Sequence, residues 1–157
     1  GMAEKSHHDS PKDDPGYLWL GACTKTCAFA LRDKNNYVDL TGLAKIRWRT
    51  KESGFHQLRL MLKLADGTFL VSDYAQHATT DWNESEFSIA DIRWRRLDVN
   101  RMNEGGWVNK PDLTKVDEIG FTDLRNGSGS GTGLDNGSSR IDWIEVYGKP
   151  VPRASHP

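Results

Sequence analysis

Six tryptophans, four tyrosines and five phenylalanines share a chain of 157 residues with 15 glycines, and two of the tryptophans stand outside any apolar alternation. Trp82 sits in Thr79-Thr80-Asp81-Trp82-Asn83-Glu84, and Trp107 follows Gly105-Gly106 in a polar loop. A sugar ring presents apolar C–H faces bordered by hydroxyls, so a protein holds it with an aromatic platform beside hydrogen-bonding side chains. Tyr74, His77, Asp81 and Asn83 are the groups that could supply those bonds around Trp82. The plainer alternative is that each loop tryptophan plugs an end of the fold. Trp48, Trp94 and Trp143 lie within apolar alternations, and core packing is the expectation for each. Trp19 is open.

A second constellation is cationic. Lys45, Arg47 and Arg49 alternate along one segment and Arg59 and Lys63 along the next, so all five project from one sheet face if the two segments form a simple hairpin. The forks of Arg47, Arg49 and Arg59 match carboxylate or sulfate groups, which suits an acidic polysaccharide. A solvated face balanced by neighbouring Asp and Glu is the competing reading. Signs of catalysis are thin. Glycoside hydrolysis needs two carboxylates about 5–9.5 Å apart, and nothing in the spacing singles out a pair from Asp91, Asp98, Asp117, Glu118, Asp123, Asp142 and Glu145. Gly127-Ser128-Gly129-Ser130-Gly131-Thr132-Gly133 lacks the lysine of a phosphate loop and opens no helix. His7-His8 lies in a polar tail and is set aside as a metal site. Cys23 and Cys27 lie about 13 Å apart on a continuous strand, beyond the ~7 Å reach of a bridge. Either the residues between them turn and a disulfide forms, implying export, or both are small hydrophobes.

Composition bounds the class. Charged residues make up 27% and hydrophobic residues 36%, which is globular. Lys plus Arg number 21 against 22 Asp plus Glu, a balance that argues against a nucleic-acid partner. No apolar run approaches the ~18 residues of a membrane span. One domain is expected over 17–150. Gly1 ahead of Met2 reads as a remnant of tag removal, so 1–16 is expected to be remnant and polar tail, and 151–157 a closing tail.

The elements that must position these residues have period two. Ala44, Ile46 and Trp48 alternate with Lys45, Arg47 and Arg49, and Leu58, Leu60, Leu62 and Leu64 alternate with Arg59, Met61 and Lys63. Glu52-Ser53-Gly54 reads as a turn between them, giving an antiparallel meander, and Ala65-Asp66-Gly67 as a hairpin before Thr68–Ser72. Tyr17–Ala22 and Thr26–Arg32 read as strands, Asp33–Asn36 as a turn and Tyr37–Leu40 as a connector. Glu86–Ala90 and Ile92–Val99 follow as strands, the second with a bulge at Arg95-Arg96. Pro111–Val116 reads as a helical turn leading into a strand from Asp117 to Leu124. Asn126–Ser139 is a long glycine-serine loop, and Arg140–Gly148 the last strand. Short strands without a long helix mean a β-sandwich or jelly roll.

From Phe87 onward the residues carry a resemblance. Leu113-x-x-Val116-x-x-Ile119-Gly120 precedes Arg140-Ile141-Asp142-Trp143-Ile144-Glu145-Val146-Tyr147-Gly148. This order is similar to that of the galactose-binding-like jelly rolls, which include many carbohydrate-binding modules and the complex I intermediate-associated proteins. The resemblance implies an all-β antiparallel β-sandwich of that type. It also implies a non-catalytic domain of an exported bacterial protein that binds a polysaccharide or oligosaccharide. A small glycoside hydrolase and a protein-assembly domain are the alternatives. Sugar-binding members often hold a structural calcium between an N-terminal Glu and the Asp of the closing strand. Asp142 fits the second position, whereas Glu4, the only nearby Glu, lies in the polar tail.

Overall fold

The computed structural model describes residues 4–6, 17–22, 27–52, 57–77, 81–123 and 138–154. Two antiparallel sheets face each other. The smaller runs β1 (Glu4–Ser6), β2 (Tyr17–Ala22), β12 (Ser138–Tyr147), β5 (Lys45–Glu52), β8 (Asn83–Ser88). The larger runs β10 (Asn103–Val108), β9 (Trp94–Asp98), β7 (Phe69–His77), β6 (Gln57–Leu64), β11 (Val116–Asp123), β4 (Asn36–Asp39), β13 (Lys149–Pro152), with β3 (Cys27–Leu31) also on β11. No helix among the described residues is long and apolar enough to cross a membrane. The all-β sandwich expected from the periodicity is therefore the fold observed.

The core lies between the sheets and follows the predicted alternation. Ile46 and Trp48 come from β5, while Leu58, Leu60, Leu62 and Leu64 come from β6, all of them buried. The Trp48 ring spans the interface, 4.6 Å from Phe87 in its own sheet and 5.5 Å from Phe121 in the other. Each such aromatic side chain removes 150 Å² or more from water. A smaller cluster of Met61, Val71 and Leu97 occupies the far face of the larger sheet.

Several expectations change. β5 pairs with β12 and β8, and β6 with β7 and β11, so the predicted β5–β6 meander is a crossing between sheets. Both segments alternate with one buried face, and alternation alone does not say whether two such faces lie side by side or opposed. Tyr37–Leu40, read as a connector, overlaps β4, which pairs with β13 and so draws the supposed closing tail into the sheet. Glu4–Ser6 likewise pairs with β2. The strand expected over Glu86–Ala90 gives way to a 3-10 turn at Ile89–Asp91 that carries the chain from one sheet to the other. Pro111–Val116 is no helical turn, because the Asp112 carboxylate accepts both the Thr114 N–H at 3.1 Å and its hydroxyl at 2.6 Å. The Asp-Gly hairpin is present, with Gly67 at φ 91° and its N–H donating to the Leu64 carbonyl. Cys23 and most of the glycine-serine loop lie outside the described residues, as does the Cys27 side chain.

Candidate functional site

The cationic row divides. Lys45, Arg47 and Arg49 leave the outer face of the smaller sheet, whereas Arg59 and Lys63 leave the far face of the larger one. The single basic face expected from a simple hairpin register is therefore absent, because the two strands belong to opposed sheets. Both halves are also charge-balanced. Arg47 lies 3.5 Å from Glu86, 3.6 Å from Glu145 and 3.9 Å from Glu84, its direct cross-strand neighbours being Glu86 and Glu145. Arg49 donates to Asp142 at 3.0 Å. Arg59 is mostly buried and closes the irregularity of β7, its Nε donating to the Ser72 carbonyl at 2.8 Å and its Nη2 to Glu104 at 2.8 Å. The hydrogen bond from Arg59, with its charge, holds the Glu104 carboxyl below the ordinary range.

Asp142 does not fit the calcium role that the resemblance implied. Calcium takes six to eight oxygens, yet this carboxylate is already met by the Arg49 guanidinium, a cation that would repel a second one. Among the described residues no group of three or more His, Cys, Asp or Glu is placed to hold a metal. The side chain of Glu4 is not described.

The two loop tryptophans lie on opposite faces of the sandwich. Trp82 flanks β8 on the outer side of the smaller sheet, with the Arg49 guanidinium 5.2 Å from its ring. Asp81 accepts the Trp82 backbone N–H, Asn83 donates to Ser85, and Tyr74 meets the Phe87 ring edge-on at 5.5 Å. The His77 side chain is outside the described residues. Trp107 is not in a loop but in β10, opposite Arg95 of β9. The irregularity expected at Arg95-Arg96 instead belongs to β10, where Glu104 and Trp107, three residues apart, face Leu97 and Arg95, two apart. Gly105-Gly106 supplies the extra residue, as glycine commonly does in a bulge.

Trp107 is 43% exposed and borders a cleft of about 330 Å³. The floor is apolar, with Ile92, Trp94 and Leu113, and the rim carries Arg93, Asn109 and Lys110. The cleft sits at the corner where the Ile89–Asp91 turn crosses from β8 to β9. Arg93 and Arg95 both stack on Trp107, each guanidinium carbon 4.1 Å from the ring centroid. A two-residue repeat along a strand is about 6.6 Å, which leaves room for one indole between them. Reasoning from sequence named Trp107 but missed Arg93 and Lys110. For Arg93 a signal was present in the pattern Arg93-Trp94-Arg95, whose alternation puts two guanidiniums on one side of the chain as it enters β9; for Lys110 there was none.

A larger groove of about 520 Å³ lies near the other edge, bordered by Leu31, Val38, Ile144 and Val146. Its acids serve structure. Asp33 accepts the Asn35 and Asn36 backbone N–H groups. Asp117, which burial alone would push up, is held low by hydrogen bonds from Arg32 and Arg153.

The sequence matches no protein-family model and no curated protein. The fold, by contrast, is similar to solved structures. The family 11 carbohydrate-binding module of a cellulosomal cellulase of Clostridium thermocellum aligns over 94% of this chain and 82% of that one, at 15% identity and a TM-score of 0.52. A family 30 carbohydrate-binding module aligns over 94% of this chain and 83% of its own, at 13% identity and a TM-score of 0.52. An exo-β-agarase aligns over 96% of this chain but only 23% of its own, at 12% identity and a TM-score of 0.57. At such identities the likeness is one of fold. The chain is an antiparallel jelly roll whose fold is similar to that of these modules.

Proposed function

We propose that the chain is a non-catalytic carbohydrate-binding domain of an exported protein and that the corner cleft beside Trp107 is its site. The observation that carries this reading is an exposed indole bordering an open, apolar-floored cleft on a fold similar to carbohydrate-binding modules. Among the described residues no carboxylate lines that cleft, whereas glycoside hydrolysis requires a pair. Elsewhere Asp98, Asp117, Glu118, Asp142 and Glu145 are engaged in turns or ion pairs, which favours binding over catalysis. Export follows from the ligand class, since polysaccharides are met mainly outside the cell. Recovery of the full-length protein from the cytosol of its producing cell would contradict that part.

A glycan array tests the binding. The chain should bind at least one oligosaccharide, and Trp107→Ala should weaken that binding tenfold or more. Stability should fall only by about 1–2 kcal/mol, the worth of two exposed guanidinium–ring contacts. Trp82→Ala, on the opposite face, should bind as the parent does. A Trp107→Ala protein that binds unchanged would remove this site from consideration.

A further inference from the structure

The arginines of this molecule differ in how their charge is occupied. Arg32, Arg47, Arg49, Arg59, Arg95 and Arg153 each meet a carboxylate. Arg93 does not. Its guanidinium makes no ion pair or hydrogen bond among the described residues, and the ring of Trp107 at 4.1 Å is its aromatic contact. The nearby Asp73 carboxylate accepts the Arg93 backbone N–H at 3.1 Å and makes no ion pair with its guanidinium. Stacking on an indole fixes the plane of a guanidinium while leaving its N–H edge available, and a fork held in plane loses less freedom when it takes up an oxyanion. On the same ring Arg95 lies 3.7 Å from Glu104, a carboxylate it shares with Arg59, so the guanidinium of the stack without a carboxylate contact is that of Arg93, the member that borders the cleft.

A second cation borders the same cleft. Lys110 is exposed, makes no ion pair among the described residues, and is held at φ 48° immediately before Pro111. A left-handed backbone at a residue other than glycine costs roughly 1–2 kcal/mol, and such positions cluster at ligand clamps. Among the described residues two cations and no acid thus line a cleft whose floor is apolar.

We infer that the cleft selects a sugar unit bearing an anionic substituent, a carboxylate or a sulfate, with Arg93 as the bidentate fork and Lys110 as the second cation. The inference rests on the carbohydrate-binding reading and adds the charge of the ligand to it. The acidic-polysaccharide chemistry that the sequence suggested for Arg47, Arg49 and Arg59 is thereby moved to a different pair of cations.

Calorimetric titration of the full chain tests it with matched twins. One pair is tetragalacturonate against its methyl ester, and the other a sulfated neocarratetraose against its desulfated form. At least one charged member should bind about tenfold or more tightly than its neutral twin, the scale of a charge-assisted hydrogen bond. That advantage should shrink as salt rises. Arg93→Gln should bring the twins within about twofold, and Arg93→Lys should keep part of the preference. The arm that responds identifies the carboxylate or the sulfate. Equal binding of twins, failure of all four probes, or an unchanged preference in Arg93→Gln overturns the inference. A chain that still binds neutral glycans on the array keeps its carbohydrate-binding reading in each of those cases, and one that binds nothing there loses both.

Discussion

A Cβ on Gly120 would collide with the carbonyl of Phe29 and lie 2.6 Å from the Ala30 Cα, because β3 crosses directly against β11 at that point. At Gly148 it would lie 2.7 Å from the Asp39 carbonyl oxygen. These obstacles are backbone and cannot rotate away. Gly120→Ala should therefore cost about 3 kcal/mol or more, seen as a fall in Tm of roughly 6–12 °C for a domain of this size. A fall under 2 °C would mean that β3 does not pack there. Both glycines close the segments on which the sequence resemblance rested, Leu113–Gly120 and Arg140–Gly148, so that resemblance records packing constraints of the fold and was legible for that reason. Residue types were equally informative for Trp48 and Trp94, which are buried as expected. They failed for Trp143, which lies under the Arg47 guanidinium at 5.7 Å on the outer face.

The failure at Trp143 belongs to its strand. Ile141 opposes Thr50 and Trp143 opposes Arg49, so β12 carries an extra residue at Asp142. A bulge of one residue reverses the inward and outward sense of everything beyond it, and no period-two reading contains that information. The same limit hid the corner cleft. Its floor and rim come from the Ile89–Asp91 crossover and the segment after β10, pieces brought together by sheet order rather than by spacing. Strand β13 shows the converse, a short proline-bearing edge element that among the described strands pairs only with β4 and is tied further in by one side chain. Arg153 meets Asp117 at 2.6 Å, donates to the Asp33 carbonyl at 3.0 Å and lies over Tyr37 at 4.3 Å. Arg153→Ala should cost about 2 kcal/mol, the scale of a lost charge-assisted hydrogen bond. Amide exchange in β4 and β13 should then accelerate well beyond that in β6. Uniform acceleration across all strands would show that Arg153 supports the whole fold and not this edge.

Among the described residues acids and bases are interleaved, and two of the pairs contribute to the response to pH. Glu104 is held low by the hydrogen bond and charge of Arg59; Asp117 is held low by Arg32 and Arg153 against the opposing effect of burial. Both folded values lie below those of the unfolded chain, about 4.3 and 3.9. The stabilisation is therefore fully present above those values and is lost as pH falls through the folded ones. Thermal melts should be nearly level from pH 7 to about pH 5 and drop below about pH 4, with Asp117→Asn less stable at neutral pH but less sensitive to acid. A parent protein that gained stability on acidification would contradict the assignment. The position of the cleft carries a consequence of its own. A receptor set at a corner touches its target with a small footprint, so the domain would perch on a polymer by one edge and leave both broad sides clear for whatever it is joined to. Such a perch counts decorated units along a chain instead of measuring the chain's length. Retention on a polysaccharide should then follow the density of its substituents, while the affinity for a short fragment stops improving once the corner is filled.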